Sequence, residues 1–364
     1  MKSLNTYIIE KFQVSKDNIG KYAYEPKTKD ELIKILEERI AKDQNADLND
    51  INVSAITDMS YLFYDLGSVK PGKMFNIDIS EWDVSNVTDM SYMFYNCGNV
   101  NCDLRRWDVS KVKNMSSMFS CCRQFNSDLS GWDVSNVINM RKMFEGCISF
   151  VGKGLDNWDV SKVTKMPGMF FSCNNFNGNL SKWNVSNVTD MTAMFFCCKK
   201  FNSDLSSWDV SNVENMSNMF AWCLNLNCDL SKWDVSNVEY MYGLFGHCEK
   251  FDSDLSAWDI RNVQTMESMF AHCYEFNSFL GDWDISKVVT MESMFYKCIK
   301  FEGKGLENWD VSKVKKMTWM FYGCSELNTD LANWDVSNVK RMDMDNMFCD
   351  CPKLNKPSWY TGNV

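Results

Sequence analysis

The stretch WDVSNVTDMSYMFYNC occupies residues 82–97, and it returns with few changes as WDVSKVKNMSSMFSCC at 107–122 and WDVSNVINMRKMFEGC at 132–147. The Trp that opens it occurs in eleven copies, 25 residues apart except for two steps of 26. These Trp residues are Trp82, Trp107, Trp132, Trp158, Trp183, Trp208, Trp233, Trp258, Trp283, Trp309 and Trp334. A fixed period of this length indicates a repeat architecture, in which each copy forms one layer of a stack.

Apolar residues keep fixed positions relative to the Trp, which we number 0; each copy is called a coil and is named by its Trp. Leu or Ile is common at −3, Val or Ile at +2, Val at +5, Met at +8, Met or Leu at +11, Phe at +12 and Cys at +15. Residues 51–64 form a degenerate copy with Ile51 in the Trp position. Because one copy cannot bury these side chains alone, the columns predict a core shared between stacked coils.

The spacing within a copy predicts its local structure. Positions −3, 0 and +2 match the strand phrase of leucine-rich repeats. Positions +5, +8, +11, +12 and +15 have helical or 3₁₀ spacing. The sequence therefore predicts an α/β repeat solenoid, a leucine-rich-repeat-like stack of about twelve 25-residue coils. Each coil would contain a short parallel strand and a short helix or 3₁₀ turn.

The pattern F-N-x-D-L-S-x-W-D-V-S-N-V-x-x-M-x-x-M-F-x-x-C resembles the BspA-like leucine-rich-repeat surface proteins, and more narrowly their 25-residue Trp-Asp-Val-Ser branch. The resemblance covers about residues 48–351. It implies a solenoid of the kind found on bacterial surfaces and in phage and other viral genomes, with roles in adhesion or binding. It brings no catalytic residues with it. Surface members usually begin with a secretion signal, which is not recognisable here.

Three segments are expected along the chain. Residues 1–47 would form an N-terminal helical cap or docking segment, 48–351 the solenoid, and 352–364 a short C-terminal cap. A solenoid needs such caps because its terminal coils would otherwise expose apolar surface. Residues 1–20 could instead be a separable tag through which the chain joins a larger assembly.

The cap prediction depends on the stretch KTKDELIKILEERIAKD. Thr28 and Glu31 have the spacing of a capping box, which satisfies free N–H groups at a helix start. Leu32, Leu36 and Ile40 would share one face of that helix.

Composition limits the partners and the location. The net charge of −10 disfavours nucleic acid and anionic membranes, and no apolar run is long enough for membrane insertion. The N-terminus lacks the apolar core and cleavage site of a signal peptide. We therefore expect a cytoplasmic or virion-associated protein, or alternatively one that reaches the cell surface by a non-classical route.

Eleven of the sixteen Cys residues share one inward column. Neighbours in that column could come within disulfide reach. Free Cys also behaves as a small apolar residue, however, and no paired C-x-x-C motifs indicate zinc. Buried thiols are the favoured interpretation.

An Asp column follows the Trp, with Asp108, Asp133, Asp209 and Asp234 among its members. Asp in D-V-S-N can accept backbone N–H bonds two residues on and shape the turn. A surface for cationic ligands is the alternative. A calcium ladder is disfavoured because the G-G-x-G-x-D pattern is missing.

The column just before the Trp varies from coil to coil and includes Arg106, Lys182 and Lys232. Strand alternation would place it beside the Asp column, facing away from the core. These positions could give each coil its own charge and form the ligand-binding strand face. Free variation without function is the alternative.

The only histidines, His247 and His272, occupy one column of adjacent coils. A two-His metal site or pH sensor is conceivable, but chance placement on a solvated turn is favoured, because no third ligand shares the column. The GKG inserts around Lys153 and Lys304 lack the context of a phosphate loop and are interpreted as bulges.

The predicted function is non-enzymatic: a binding or adhesion scaffold that presents its strand face to a protein or glycan ligand. No cofactor or metal is expected. The alternative is a structural or assembly component, for example of a phage or viral particle, attached through its N-terminal segment.

Overall fold

The computed structural model describes residues 22–64 and 77–361. Within these ranges the regular elements are one α-helix, α1 at Lys29–Lys42, and two 3₁₀ helices at Leu306–Asn308 and Arg341–Met344. The remainder consists of turns, extended segments and single parallel β-bridges. No helix in the described ranges is long and apolar enough to cross a bilayer. The expected docking segment at residues 1–20 lies outside them.

The coils are joined through their backbones at positions +7 to +14, which we call the ladder wall. Parallel bridges connect position +7 of one coil to +7 of the next, as from Asp190 to Asn215. The N–H groups at +8, +10, +12 and +14 then donate to the carbonyls at +7, +9, +11 and +13 of the following coil. In the Trp183 coil the four bonds measure 3.0, 2.9, 2.9 and 2.7 Å.

The other N–H groups of the ladder wall close turns within their own coil. Met194 donates to the carbonyl of Met191 at 3.1 Å, and Cys198 to that of Phe195 at 2.9 Å. The third residue of each turn is left-handed, with a φ of 53° at Ala193 and of 60° at Cys197. A positive φ at this position is the pattern of a type II turn.

The predicted short helix or 3₁₀ turn at these positions is therefore wrong, and tandem turns with a left-handed third residue stand in its place. Tandem turns and a helix both bring residues three and four apart onto one side, so the apolar spacing is the same. Left-handed residues at +10 and +14 interrupt any helix, because non-glycine residues adopt that region only singly. The N–H groups that a helix would use internally instead join neighbouring coils.

The segment from −3 to +4, which we call the Trp wall, is held differently. The indole N–H of each of the twelve stacked Trp residues donates to the carbonyl at −3 of the preceding coil, at 2.8–3.3 Å. Neighbouring indoles stack, as between Trp183 and Trp208, whose centroids are 6.4 Å apart. The Asn at +4 adds a bond, as from Asn187 Nδ2 to the Ser161 carbonyl at 2.7 Å.

The predicted parallel strand in this segment is also wrong. Positions −2 and −1 form one turn and +3 and +4 another, and no strand is present there among the described residues. Side chains, rather than backbone N–H groups, connect the coils here. The L-x-x-W-x-V phrase therefore has the spacing of a leucine-rich-repeat strand without its pairing.

The core lies between the two walls and follows the predicted columns. In the Trp183 coil Val188, Met191, Phe195 and Cys198 are all fully buried. Burying a side chain of this size contributes roughly 1.5–3 kcal/mol, and the contribution is repeated in every coil. The Cys thiol donates to the carbonyl at +12 of the preceding coil, as from Cys198 Sγ to the Phe170 oxygen at 3.0 Å.

Helix α1 covers the N-terminal side of this core. The Thr28 side chain accepts the Glu31 N–H at 3.2 Å, while Glu31 Oε2 accepts the N–H of Lys27 at 2.7 Å. The predicted residues Leu32, Leu36 and Ile40 are buried in the same apolar cluster as the coils. The predicted face of the helix is confirmed.

The expected C-terminal cap extends the Trp column. Trp359 lies 25 residues after Trp334, stacks on it at 6.3 Å and donates its indole N–H to the Leu331 carbonyl at 2.8 Å. The segment therefore adds one more Trp to the stack of the Trp wall before the described residues end at 361.

The two longer steps add one residue in a Gly-rich turn. Gly154 has φ of 89°, and a Cβ there would lie 2.2 Å from the backbone nitrogen of Ser130. Only glycine fits this close approach between neighbouring coils.

Candidate ligand-binding groove

The four predicted Asp residues shape turns. Asp108, Asp133, Asp209 and Asp234 each accept the backbone N–H of the residue two positions on, at 3.0–3.1 Å. Hydrogen bonds from the Ser110 side chain and backbone lower the pKa of Asp108. One carboxylate oxygen is thus engaged within the coil, which supports the favoured structural interpretation of this column.

The predicted basic residues Arg106, Lys182 and Lys232 are exposed on the turn before the Trp. Lys182 Nζ donates to Asn157 Oδ1 of the preceding coil at 3.3 Å. The three belong to different, non-adjacent coils, and each is presented singly. Their role as a ligand-binding set stays a prediction.

A groove that the sequence did not predict lies on the ladder wall. Position +13 carries outward aromatic rings in some coils and small residues in the three between them. Along the stack these residues are Phe171, Phe196, Ala221, Gly246, Ala271, Tyr296 and Tyr322. The rings stack in pairs at either end, at 4.7 Å for the Phe pair and 5.0 Å for the Tyr pair. The gap between the pairs forms a groove of 490 Å³.

One side of the groove is a stack of rings at position +14. Trp222 and His247 lie 3.7 Å apart, and His247 and His272 lie 4.2 Å apart, between centroids. His272 Nδ1 is 3.2 Å from the hydroxyl of Tyr274. Both histidines lie on a turn, as the favoured interpretation expected, but they are half-buried rather than solvated and line the groove.

The stack holds its histidines neutral at pH 7. Burial, and secondarily the neighbouring His272, lowers the pKa of His247 to about 4. Burial and the nearby Lys297 also lower the pKa of His272. Desolvation disfavours the protonated form, so the groove side is uncharged and aromatic under ordinary conditions.

The floor consists of small residues at +10 and +13. Gly243 has φ of 57°, and a Cβ there would lie 2.5 Å from Asn218 Oδ1. Ser268 and Ser293 continue the floor toward Trp319, which is exposed at the far end. The small side chains keep the groove open over several coils.

Backbone groups of the floor are already bonded within the ladder. The Gly243 N–H donates to the Glu267 carbonyl at 2.8 Å, and the His247 N–H to the Ala271 carbonyl at 2.6 Å. The Ser268 N–H donates to the Glu292 carbonyl at 2.9 Å. A ligand must therefore find its hydrogen bonds mainly among the side chains.

The sequence contained a signal for this groove. Comparing position +13 between coils reveals the change from rings to small residues and back. The outward column just before the Trp also varies, so variation alone does not single out position +13. Two histidines in one column suggest metal ligands as readily as flat surfaces.

Reactive chemistry has little support elsewhere. Burial raises the pKa of the column thiols, to about 12 for Cys97, and a thiol in that state is a poor nucleophile. Within residues 22–64 and 77–361, no three His, Cys, Asp or Glu side chains converge as a metal site would require.

The stacked coils, shared core and outward groove define a repeat solenoid. The chain belongs to the family described as "Mycoplasma protein of unknown function, DUF285", whose model matches residues 36–153, 139–242, 207–304 and 272–364. The match concerns the family as a whole and does not distinguish a Trp-Asp-Val-Ser branch. No curated protein matches the sequence.

Several solved structures of leucine-rich-repeat proteins are similar at low scores. One from Eubacterium ventriosum is 12% identical with a TM-score of 0.35, covering 78% of this chain and 84% of its own. The TLR13–ssRNA13 complex is 13% identical at a TM-score of 0.30, and the plant peptide hormone receptor RGFR1 with RGF2 is 10% identical at 0.25. They cover 90% and 81% of this chain, which spans only 44% and 60% of theirs.

Proposed function

We propose that this protein is a non-enzymatic binding scaffold whose ligand lies in the groove of the ladder wall. The observation that carries the proposal is the interruption of the +13 column between Phe196 and Tyr296. Small side chains replace rings in three consecutive coils, and the space they leave remains open. Concave sites of this size with aromatic linings and a few polar groups are typical of ligand binding.

The ladder wall suits this role because its backbone holds the coils together. Outward side chains at +9, +10, +13 and +14 can change without loss of an inter-coil backbone hydrogen bond. A rigid surface with freely chosen side chains loses little conformational entropy when a ligand binds. The same logic applies with less force to the predicted face around Arg106, Lys182 and Lys232, where no concave site supports it.

Capture from an extract of the native source tests the proposal. Immobilised wild-type protein is compared with Gly246→Phe, which restores a ring at +13 and closes the groove. Position 246 has ordinary backbone, and a Cβ there meets its nearest atoms at 3.4 Å, so the variant should fold. Bound protein is quantified by mass spectrometry and bound sugar by monosaccharide analysis.

The wild type should retain at least one component that Gly246→Phe does not. The charge-reversed triple variant Arg106→Glu, Lys182→Glu, Lys232→Glu serves as the comparison and should still retain it. Equal capture by wild type and Gly246→Phe would refute the groove as the binding site. Loss of the component only in the triple variant would move the site to the turn before the Trp.

A further inference from the structure

We infer that the ligand of the groove is a neutral carbohydrate chain, an inference that rests on the proposed function and gives its ligand a chemical class. Three properties of the groove support this class: its lack of charge, its exposed flat rings and its saturated backbone. Each removes a different competing class of ligand.

Lack of charge disfavours ionic ligands. The lining consists of aromatic, small and neutral polar residues, with neither Asp, Glu, Lys nor Arg among them. The +9 and +14 columns beside the groove also hold Glu267, Glu292 and Lys297, and Lys297 Nζ lies 5.5 Å from the ring centroid of Tyr296. Signs are mixed at this rim. An anionic or cationic group in the groove would lose hydration without gaining an opposite charge.

Exposed rings favour a ligand with flat apolar faces. Trp222 is 41%, Tyr242 41% and Trp319 42% exposed, which is unusual for side chains of this size. One face of a pyranose ring presents C–H groups. Their partially positive hydrogens suit the negative face of an indole or phenol ring. The same sugar ring carries hydroxyl groups around its rim.

The saturated backbone disfavours an extended peptide. A peptide that adds to a sheet needs free N–H and carbonyl groups along the edge. Here the N–H groups of Gly243, His247 and Ser268 are bonded to the next coil. Hydroxyl groups can instead pair with the side chains of Asn218 and Ser293, which both donate and accept.

The length of the groove favours an oligosaccharide over a single sugar. It runs from the Trp208 coil, which carries Asn218, to the Trp309 coil, which carries Trp319. Four inter-coil steps of about 4.8 Å correspond to roughly 19 Å. Several sugar rings in a row would be needed to fill it.

An array of neutral linear oligosaccharides of glucose, galactose, mannose and N-acetylglucosamine provides the test. Sialylated and sulfated chains of equal length are included, and titration calorimetry follows any binding. The wild type should bind at least one neutral chain, and Trp222→Ala and Gly246→Phe should each weaken that binding at least tenfold. Tyr92→Ala removes a ring from the same wall five coils away and should leave the affinity unchanged. Melting temperatures verify folding.

Binding only to charged chains, or equal binding by the groove variants, would overturn the inference. So would an array on which nothing binds. If the array is blank while a protein from the native extract is captured in a Gly246-dependent manner, the carbohydrate inference fails and the binding function stands. If capture fails as well, both fall.

Discussion

The Trp wall and the ladder wall join the same coils by opposite means. On the Trp wall, side chains of Trp and Asn reach the backbone of the preceding coil, as from Trp208 Nε1 to the Leu180 carbonyl at 3.0 Å. On the ladder wall, backbone N–H groups of one coil donate to backbone carbonyls of the next. The outward side chains take no part in these backbone bonds. Uniform columns therefore mark where side chains hold the stack, and varied columns mark where they are free for another role.

The largest expected effect comes from the same residue type on the two walls. Trp208→Ala should cost about 3–5 kcal/mol, because it leaves a cavity and removes one of the two hydrogen bonds that the Leu180 carbonyl accepts, the other coming from the Trp183 N–H. Trp222→Ala, on the ladder wall, should cost far less because that ring is exposed. Guanidinium denaturation of both variants checks this. Similar midpoints for the two would break the distinction between the walls.

A second prediction separates hydrogen bonding from charge on the Trp wall. Asp209→Ala should lower the free energy of unfolding by about 1 kcal/mol, because it removes the acceptor of the Ser211 N–H. Asp209→Asn should be nearly neutral, since Asn184 already accepts the Ser186 N–H at 3.1 Å in the neighbouring coil. Urea midpoints at pH 7 distinguish the two. An Asn variant as unstable as the Ala variant would show that the negative charge is required.

The histidine stack on the ladder wall should give a pH-dependent effect. The folded pKa of His247 is about 4, below its ordinary 6.5, so protonation favours the unfolded chain. Its contribution to stability is complete above pH 6.5 and is lost as the pH falls toward 4.

His247→Asn provides the control for this effect, because Asn96 occupies the equivalent left-handed position. The variant should lose less stability than the wild type between pH 6.5 and 4 in thermal melts. Parallel pH profiles would contradict the assignment.

The smallest effect is expected at the turn before the Trp. Reversing Arg106, Lys182 and Lys232 to Glu should change the melting temperature little, since exposed substitutions usually cost within about 0.5 kcal/mol each. If these residues contribute to binding, the triple change should alter its salt dependence. A large loss of stability would mean that this column has a structural role.

Much of the core could be predicted from the sequence. Period, inward columns, the cap helix and the turn role of Asp all depend on local spacing and side-chain chemistry. The position of the ladder could not, because tandem turns and helices share the spacing of apolar residues. Left-handed backbone at +10 and +14 had a weak signal, since only a minority of coils place Gly there, such as Gly243 and Gly146.

The sequence did not predict Trp359 as a member of the Trp wall, because no Asp-Val-Ser follows it. The groove was missed because it exists only in the comparison between coils. A cytoplasmic or virion-associated location, and attachment through residues 1–20, stay predictions.

The one-residue inserts have a consequence for how such a chain can change over generations. Trp132 and Trp158 are separated by 26 residues, Trp158 and Trp183 by 25, yet both ring pairs are 6.3 Å apart. The Gly-rich turn at Gly154, which forms a corner of the coil, accommodates the extra residue, and the stack continues in register. Duplication or loss of a whole coil would likewise preserve the register, so evolution can adjust the number of layers and the length of this corner independently. The same corner offers engineers a place to graft a foreign loop.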